Sequence, residues 1–500
     1  MKSATTGKST SIKINLILNT LYEVLLIIAP LITTPYVSRV LRPEGVGIFS
    51  YSSSLVTYFT MAAVIGTATY GKREIARLRD DKKACSRAFW EIEIIKVVTT
   101  LTCTLLWLIF SFCYKEYSIY MLILSLTLFG QLFDISWFFG GLEKFKYSVG
   151  VNSLIKLLSV ACIFIFVKHQ NDLSIYILIC SLNTLLGFVS MWFFLPKHIC
   201  KTTISKDETM KHFKNSIIYF LPTIAISVYT VLDKTLIGLI VKENANAQNG
   251  FYEEATKITN LIKGFCFGAI NGVMTARASY LYEKKDFTGF KRVIDSTYNL
   301  TTFLTVGACF GIIAVANTFV PIFFGPGYDS VTILLYILSP VSLCVCISNV
   351  AGTIFYNPAN RIKLGSLLLM IGSIANLLLN LALIPIISSY GAAIGSLVAE
   401  FIIAILFVVF TKGFITIKMI IKYLFCKLLA GVFMFLFVRG LSNSLEQVMP
   451  GIPLLIVEVI VGVIVYTAVL YLLKDDSVQE VMHYFREKIN KFKKHNGISR

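Results

Sequence analysis

Long apolar segments separated by short polar connections follow one another along the whole chain. Each is about as long as the roughly 20 residues that an α-helix needs to cross a bilayer. Proline and glycine inside several segments are compatible with membrane helices, because neighbouring helices satisfy the freed backbone groups. The pattern predicts fourteen transmembrane spans, at 14–38, 46–70, 91–113, 118–140, 148–168, 173–195, 216–241, 252–276, 297–320, 330–356, 364–387, 390–411, 418–438 and 453–473.

The composition favours a membrane protein over a soluble one. Hydrophobic residues make up 56% of the chain and charged residues 15%, with a mean hydropathy of +0.74. Soluble proteins carry about 25% charged residues. The predicted fold class is therefore an all-α polytopic membrane protein.

The distribution of basic residues predicts the orientation of the chain. With both termini in the cytoplasm, 34 of the 46 Lys and Arg fall in inner segments and 7 in outer ones. An excess of this size on one side follows the positive-inside rule. The net charge of +18 is then a topology signal and not a sign of nucleic-acid binding.

The two halves of the chain carry matching motifs in the same order. "PLITTPYVSRVLR" (30–42) aligns with "PTIAISVYTVLDK" (222–234), "GIFSYSSSL" (47–55) with "GFYEEATKI" (250–258), and "FFGGLEKFK" (138–146) with "FYNPANRIK" (355–363). A unit of six spans crosses the membrane an even number of times, so both copies share one orientation, a recurring plan in transporters. The predicted domains are two six-helix lobes at 1–196 and 197–411, two extra helices at 412–474 and a basic amphipathic cytoplasmic tail at 475–500.

Three stretches carry a family resemblance. "PLITTPYVSRVLRPEGVGIFSYSSSLVTYFTMAAVIGTATYGKREIARLRDDK" (30–82), "FDISWFFGGLEKFK" (133–146) and "IANLLLNLALIPIISSYGAAIGSLVAE" (374–400) resemble Wzx-type polysaccharide repeat-unit flippases. These flippases form the polysaccharide transporter branch of the multidrug/oligosaccharidyl-lipid/polysaccharide exporter superfamily. The chain departs from the usual pattern at Arg42, where many relatives would have a glycine before the proline.

The resemblance implies a MATE/MurJ-like arrangement of two lobes around a central cavity formed mainly by spans 1, 2, 7 and 8. It also implies a function, the transfer of an undecaprenyl-diphosphate-linked oligosaccharide to the outer leaflet of the bacterial plasma membrane. That transfer would serve capsule or surface polysaccharide biosynthesis. Other membrane proteins of polysaccharide assembly are expected partners, and no cofactor is expected.

A lipid-linked glycan needs cations for its diphosphate and hydroxyl or amide groups for its sugars. Charges within a membrane span are costly and tend to face the bundle interior, and the planar fork of arginine suits phosphate. The cations predicted to bind the diphosphate are Arg39, Arg42, Lys234 and Lys263. The residues predicted to bind the glycan are Ser50, Tyr51, Ser54, Tyr58, Asn260 and Asn271. Glu23 and Asp233 are candidates for ion coupling.

Each assignment has a structural alternative. Arg39 and Arg42 lie near a helix end, from which they could reach lipid head groups. Asp233 could pair with another span, and the span 2 hydroxyls could serve helix packing. Five further charges in the spans fit either ion coupling or interhelical pairing: Asp134, Lys156, Glu400, Lys427 and Glu458.

Two other functions are compatible with a polytopic chain. A MATE-like multidrug antiporter would carry cations and need an acidic cavity, whereas the predicted cavity cations Arg39, Arg42, Lys234 and Lys263 favour an anionic substrate. A membrane glycan polymerase or glycosyltransferase would need a large outer loop or an acidic metal cluster, and the longest outer connection is about 242–251. No catalytic residue and no metal site is therefore predicted.

Overall fold

The computed structural model describes residues 4–144 and 146–479, with side chains over 24–144, 149–220, 231–268 and 270–479. Within these residues the chain is helical throughout, which confirms the predicted fold class. The α-helices are α1 (Ala4–Val64), α2 (Thr67–Leu78), α3 (Lys82–Cys113), α4 (Ser118–Gly130), α5 (Ser136–Gly141), α6 (Lys146–Phe166), α7 (Leu173–Met191), α8 (Lys206–Ile240), α9 (Ala245–Glu283), α10 (Phe287–Phe324), α11 (Asp329–Leu338), α12 (Val341–Val350), α13 (Ile362–Val409), α14 (Ile417–Leu445) and α15 (Ile452–Leu472). Short 3₁₀ turns cover Lys115–Tyr117, Gln131–Phe133, Gln170–Asp172 and Trp192–Lys197, and a π-helix covers Ala351–Tyr356.

Helix α3 shows why these segments form membrane helices. Val98, Leu105 and Phe112, spaced seven residues apart, are 58%, 61% and 66% exposed. The other face buries charged side chains, among them Glu93 and Lys96. An apolar exterior around a polar interior is the reverse of a soluble helix, and it is stable only where the exterior meets lipid.

Ten helical stretches of the described residues are long and apolar enough to cross a membrane. Two of the long helices bend sharply, α1 at Arg42 and α13 at Ile387 and Ser388. At these bends two predicted spans follow each other within one helix. The count of fourteen spans stays a prediction.

The chain divides into two compact units, Met1–Glu253 and Glu254–Arg500. The first unit ends later than the predicted boundary at residue 196, because α8 packs on α1, α2 and α3. Hydrogen bonds such as Tyr70 to His212 and Ser54 to Thr235 fix it there. The two lobes predicted from the sequence repeat therefore stay a prediction, and they differ in their boundary from the two compact units.

Each unit has its own apolar cores. In the first, one core surrounds Tyr51 and Trp107 and another surrounds Phe89 and Trp137. In the second, one core lies around Tyr298 between α10, α13 and the π-helix. Another joins α10, α14 and α15, so the two added helices pack on the second unit.

Candidate functional site

Two glycines allow the second half of α1 to cross the start of α9 at backbone distance. A Cβ atom on Gly47 would overlap the carbonyl oxygen of Asn246, and one on Gly250 would overlap that of Pro43. The added Cβ of Gly47 would also lie 2.9 Å from the backbone nitrogen of Gly250. Gly47 and Gly250 occupy the same place in the sequence repeat, so equivalent positions of the two halves meet at this crossing.

Beside the crossing, Lys234 of α8 is held by a carboxylate. Its ammonium group pairs with Glu253, and the same carboxylate accepts a hydrogen bond of 2.9 Å from the Ser50 hydroxyl. The Asn249 side chain donates to the Lys234 carbonyl oxygen at 2.7 Å. Lys234 and Ser50, which the sequence assigns to diphosphate and glycan, therefore share one anionic partner.

The neighbouring Asp233 is buried and accepts a hydrogen bond from the Tyr252 hydroxyl. Sequence reasoning missed both Glu253 and Tyr252, which lie in the "GFYEE" segment of the repeat. The available signal was their position in the "GFYEE" stretch, two turns into α9, which aligns with the polar start of span 2. A carboxylate and a phenol at these positions can bind the adjacent Lys234 and Asp233.

The other span 2 hydroxyls serve contacts between helices. Ser54 and Tyr58 both reach the Thr235 hydroxyl, at 2.9 and 3.1 Å. Tyr51 is 1% exposed and its hydroxyl lies 3.0 Å from that of Tyr114. This arrangement matches the packing alternative, and their assignment to glycan binding stays a prediction.

Arg39 and Arg42 are both exposed, one turn apart on α1. Arg42 has φ 59° and ψ 173°, a backbone conformation that is essentially restricted to glycine. The bend requires the positive φ, and Pro43 forces the preceding residue into an extended ψ. The glycine expected there by resemblance would adopt this conformation without strain.

We expect Arg42→Gly to stabilise the fold by about 1 kcal/mol, because a residue strained in this region costs about 1–3 kcal/mol. The matched control is Arg39→Gly in regular helix, which should destabilise by about 1 kcal/mol. The measurement is the temperature at which half of the detergent-solubilised protein leaves the monodisperse peak. Equal losses in both variants would contradict the strain at Arg42.

The remaining predicted residues lie in the second unit or outside the described side chains. Lys263 is half-buried on α9 and interacts electrostatically with Glu400. Asn260 is exposed, while the Asn271 side-chain oxygen is buried and has no hydrogen-bond partner among the described residues. The side chain of Glu23 lies outside the described residues.

Three further charges of the spans are bound within their own unit. Lys96 pairs with Glu93 and donates to the Asp134 carbonyl oxygen at 2.6 Å. Lys427 contacts the Asn299 side chain at 2.9 Å and Asp475 at 3.3 Å. Thr318 donates to Glu458 at 2.9 Å. The contacts of Lys427 and Glu458 match the interhelical pairing that the sequence left open, whereas the Lys96–Glu93 pair lies within one helix.

Helices with exposed apolar surfaces and buried, paired charges define a multi-pass membrane protein. A family model described as "Polysaccharide biosynthesis protein" matches residues 12–275, more than half of the chain. The chain belongs to this polysaccharide biosynthesis protein family. The predicted resemblance to the polysaccharide transporter branch is thereby confirmed.

Comparisons over most of the chain agree with this membership. The chain is 27% identical over 391 residues to the "Putative O-antigen transporter" of Escherichia coli strain K12, covering 77% of this chain and 92% of that one. The structure of "Lipid II flippase MurJ, inward closed conformation" matches with a TM-score of 0.72 and 15% identity over 93% of this chain and 99% of that one. An inward-facing multidrug MATE transporter matches with a TM-score of 0.58 and 13% identity over 77% and 97%. These relatives and structural neighbours are named as transporters or flippases, in agreement with the predicted class of protein.

Proposed function

We propose that the chain is a flippase for an undecaprenyl-diphosphate-linked oligosaccharide, which it moves from the inner to the outer leaflet of the bacterial plasma membrane. The observation that carries this proposal is the family match over 12–275. A relative named as an O-antigen transporter and a fold shared with a lipid II flippase support it. The product would be used for capsule or other surface polysaccharide.

The electrostatics of the first unit suit such a substrate. A bare diphosphate crossing hydrocarbon would lose tens of kcal/mol of hydration energy. Lys234 is stored as an ion pair with Glu253, which keeps its charge compensated while no substrate is present. In the proposed mechanism the diphosphate displaces Glu253 from Lys234, and exposed Arg39 and Arg42 add two further cations. Lys263 stays a predicted diphosphate contact.

The proposed transport cycle is alternating access between two lobes, 1–196 and 197–411, with both termini in the cytoplasm. The Gly47–Gly250 crossing supplies a contact that can close tightly, because backbone meets backbone with no side chain between. Lys234, Glu253 and Ser50 lie beside it. Substrate that competes for Lys234 would weaken this closed contact and favour opening, which couples binding to movement.

The test is deletion of the gene in a bacterium that makes the polysaccharide, followed by complementation. We expect loss of surface polysaccharide and accumulation of the lipid-linked oligosaccharide on the cytoplasmic side of the membrane. Arg39→Gln and Lys263→Gln should complement poorly at normal protein level, while Lys115→Gln, an exposed control on an outer connection, should complement fully.

The deletion also separates this proposal from its alternative. Normal surface polysaccharide together with increased sensitivity to cationic drugs would favour the multidrug antiporter. Normal polysaccharide together with unchanged drug sensitivity would contradict both the flippase and the antiporter function.

A further inference from the structure

A cavity of about 730 Å³ lies between α2 and α8 of the first unit, apart from the predicted site residues. Its volume is in the range of small-molecule binding sites. The lining side chains come from one face of each helix, among them Tyr70 and Arg73 of α2 and His212, Asn215 and Tyr219 of α8.

The lining of the cavity keeps a net positive charge after its two internal ion pairs cancel. Arg77 pairs with Glu74 at 2.5 Å and Lys211 with Glu208 at 2.9 Å. The hydrogen bond from Lys211 lowers the pKa of the Glu208 carboxyl, so this pair stays ionised near neutral pH. Arg73 has no carboxylate within ion-pair distance among the described residues. One guanidinium is therefore left to neutralise an anion.

Arg73 is oriented by an aromatic residue. Its Nη1 donates to the Tyr219 hydroxyl at 2.7 Å, which uses one of its five N–H donors. The rings of Tyr219 and Tyr70 lie with centroids 5.9 Å apart. Aromatic walls with a few convergent polar groups are the usual lining of a site for a small organic ligand.

The inner wall of the cavity is held in place by a buried chain of hydrogen bonds. The Tyr70 hydroxyl lies 2.7 Å from His212 Nδ1, and His212 Nε2 lies 3.3 Å from Glu91 Oε2. Glu91 also accepts a hydrogen bond from the Ser205 backbone at 3.0 Å. His212 and Glu91 are 8% and 1% exposed. Tyr70 and His212 therefore form a fixed inner wall of the cavity, and Arg73, Arg77 and Lys211 line its exposed side.

We propose that this cavity binds the sugar-diphosphate head group of the lipid-linked substrate on the cytoplasmic side, before translocation. The inference rests on the proposed function and names an entry site for it. Arg73 takes the diphosphate, whose paired oxygens match the planar guanidinium. Tyr219, Tyr70 and Asn215 take the first sugar. The segments 71–90 and 196–215, which supply most of the lining, are basic predicted cytoplasmic connections, so the predicted orientation places the cavity on the side where the substrate is made.

The experiment measures binding of farnesyl diphosphate to the full-length protein in detergent, with farnesol as the lipid-only control. We expect Arg73→Gln to weaken the binding of farnesyl diphosphate about tenfold, since a hydrogen bond to a charged group contributes about 1.5–3 kcal/mol. Tyr219→Phe should weaken it less, because it removes only the hydroxyl that orients Arg73. Arg79→Gln is the matched control, since Arg79 pairs with Glu143 at the end of α2 and does not line the cavity.

Three results would overturn the entry site. They are binding that is unchanged in Arg73→Gln, equal loss in Arg79→Gln, and farnesol binding as tightly as farnesyl diphosphate. Binding of uridine diphosphate N-acetylglucosamine without binding of farnesyl diphosphate would identify a free nucleotide sugar as the ligand and also contradict the proposal. Monodisperse elution of each variant establishes that it is folded.

The two proposals fail in different ways. If deletion of the gene leaves surface polysaccharide normal, the flippase function fails whatever the binding data show. If deletion abolishes the polysaccharide but Arg73→Gln binds farnesyl diphosphate normally, only the entry site fails.

Discussion

Replacing Gly47 with alanine is expected to reduce transport about tenfold. The added methyl group would overlap the Asn246 carbonyl oxygen, which is backbone and cannot be moved by a rotamer change. Overpacking costs about 1–3 kcal/mol, and about 1.4 kcal/mol is a factor of ten in population or rate. The variant should fold, because the helices can separate at the crossing, but the closed contact would be disfavoured.

The repeat supplies a second, independent variant. Gly250→Ala should have the same effect, since its methyl group would overlap the Pro43 carbonyl oxygen. Gly264→Ala on the same helix is the matched control, because a Cβ there meets nothing within 4 Å among the described residues. Surface polysaccharide is measured at equal protein level. Full transport in both Gly47→Ala and Gly250→Ala would mean that close approach at this crossing is not needed.

Lys96→Met is expected to destabilise the fold by about 3–5 kcal/mol, because it leaves a buried carboxylate without its cation. The Lys96 ammonium lies 2.9 Å from Glu93, and both side chains are 2% exposed. At about 2–4 °C per kcal/mol, the melting temperature of the detergent-solubilised protein should fall by roughly 10 °C. Lys83→Met, an exposed position on the same helix, should leave it unchanged.

A double variant separates the lost charge pair from lost packing. Glu93→Leu combined with Lys96→Met removes both charges, and apolar replacement of a buried pair is often neutral or stabilising. We therefore expect the double variant to recover most of the stability lost in Lys96→Met. A double variant as unstable as the single one would indicate that the hydrogen bond from Lys96 to the Asp134 carbonyl oxygen is the stabilising contact.

The class of fold and the location of most helices could be predicted from the sequence. The length of apolar segments and the distribution of basic residues can be read without knowing which residues are in contact. It also aligned Gly47 with Gly250, and the structure brings these two positions together. It did not reveal the bend at Arg42 or the merging of two spans in α13, since both depend on a few backbone angles.

The partners of the predicted site residues were harder to predict. Lys234 and Ser50 meet at Glu253, which is 203 positions from Ser50. Ser54 and Tyr58 meet at Thr235. Composition and spacing identify polar residues inside a membrane span, but they do not say whether each one contacts substrate or another helix. The same limit applied to the cavity beside Arg73, because its two walls come from α2 and α8, which are remote in sequence.

The bend at Arg42 joins two membrane-crossing segments with no flexible linker between them. A flexible loop between two helices would absorb a movement of either one. A continuous helix with a bend transmits a change of tilt or rotation from one segment to the next. We therefore expect a change of tilt in the first segment of α1 to move the second, and with it Gly47, which lies against the start of α9.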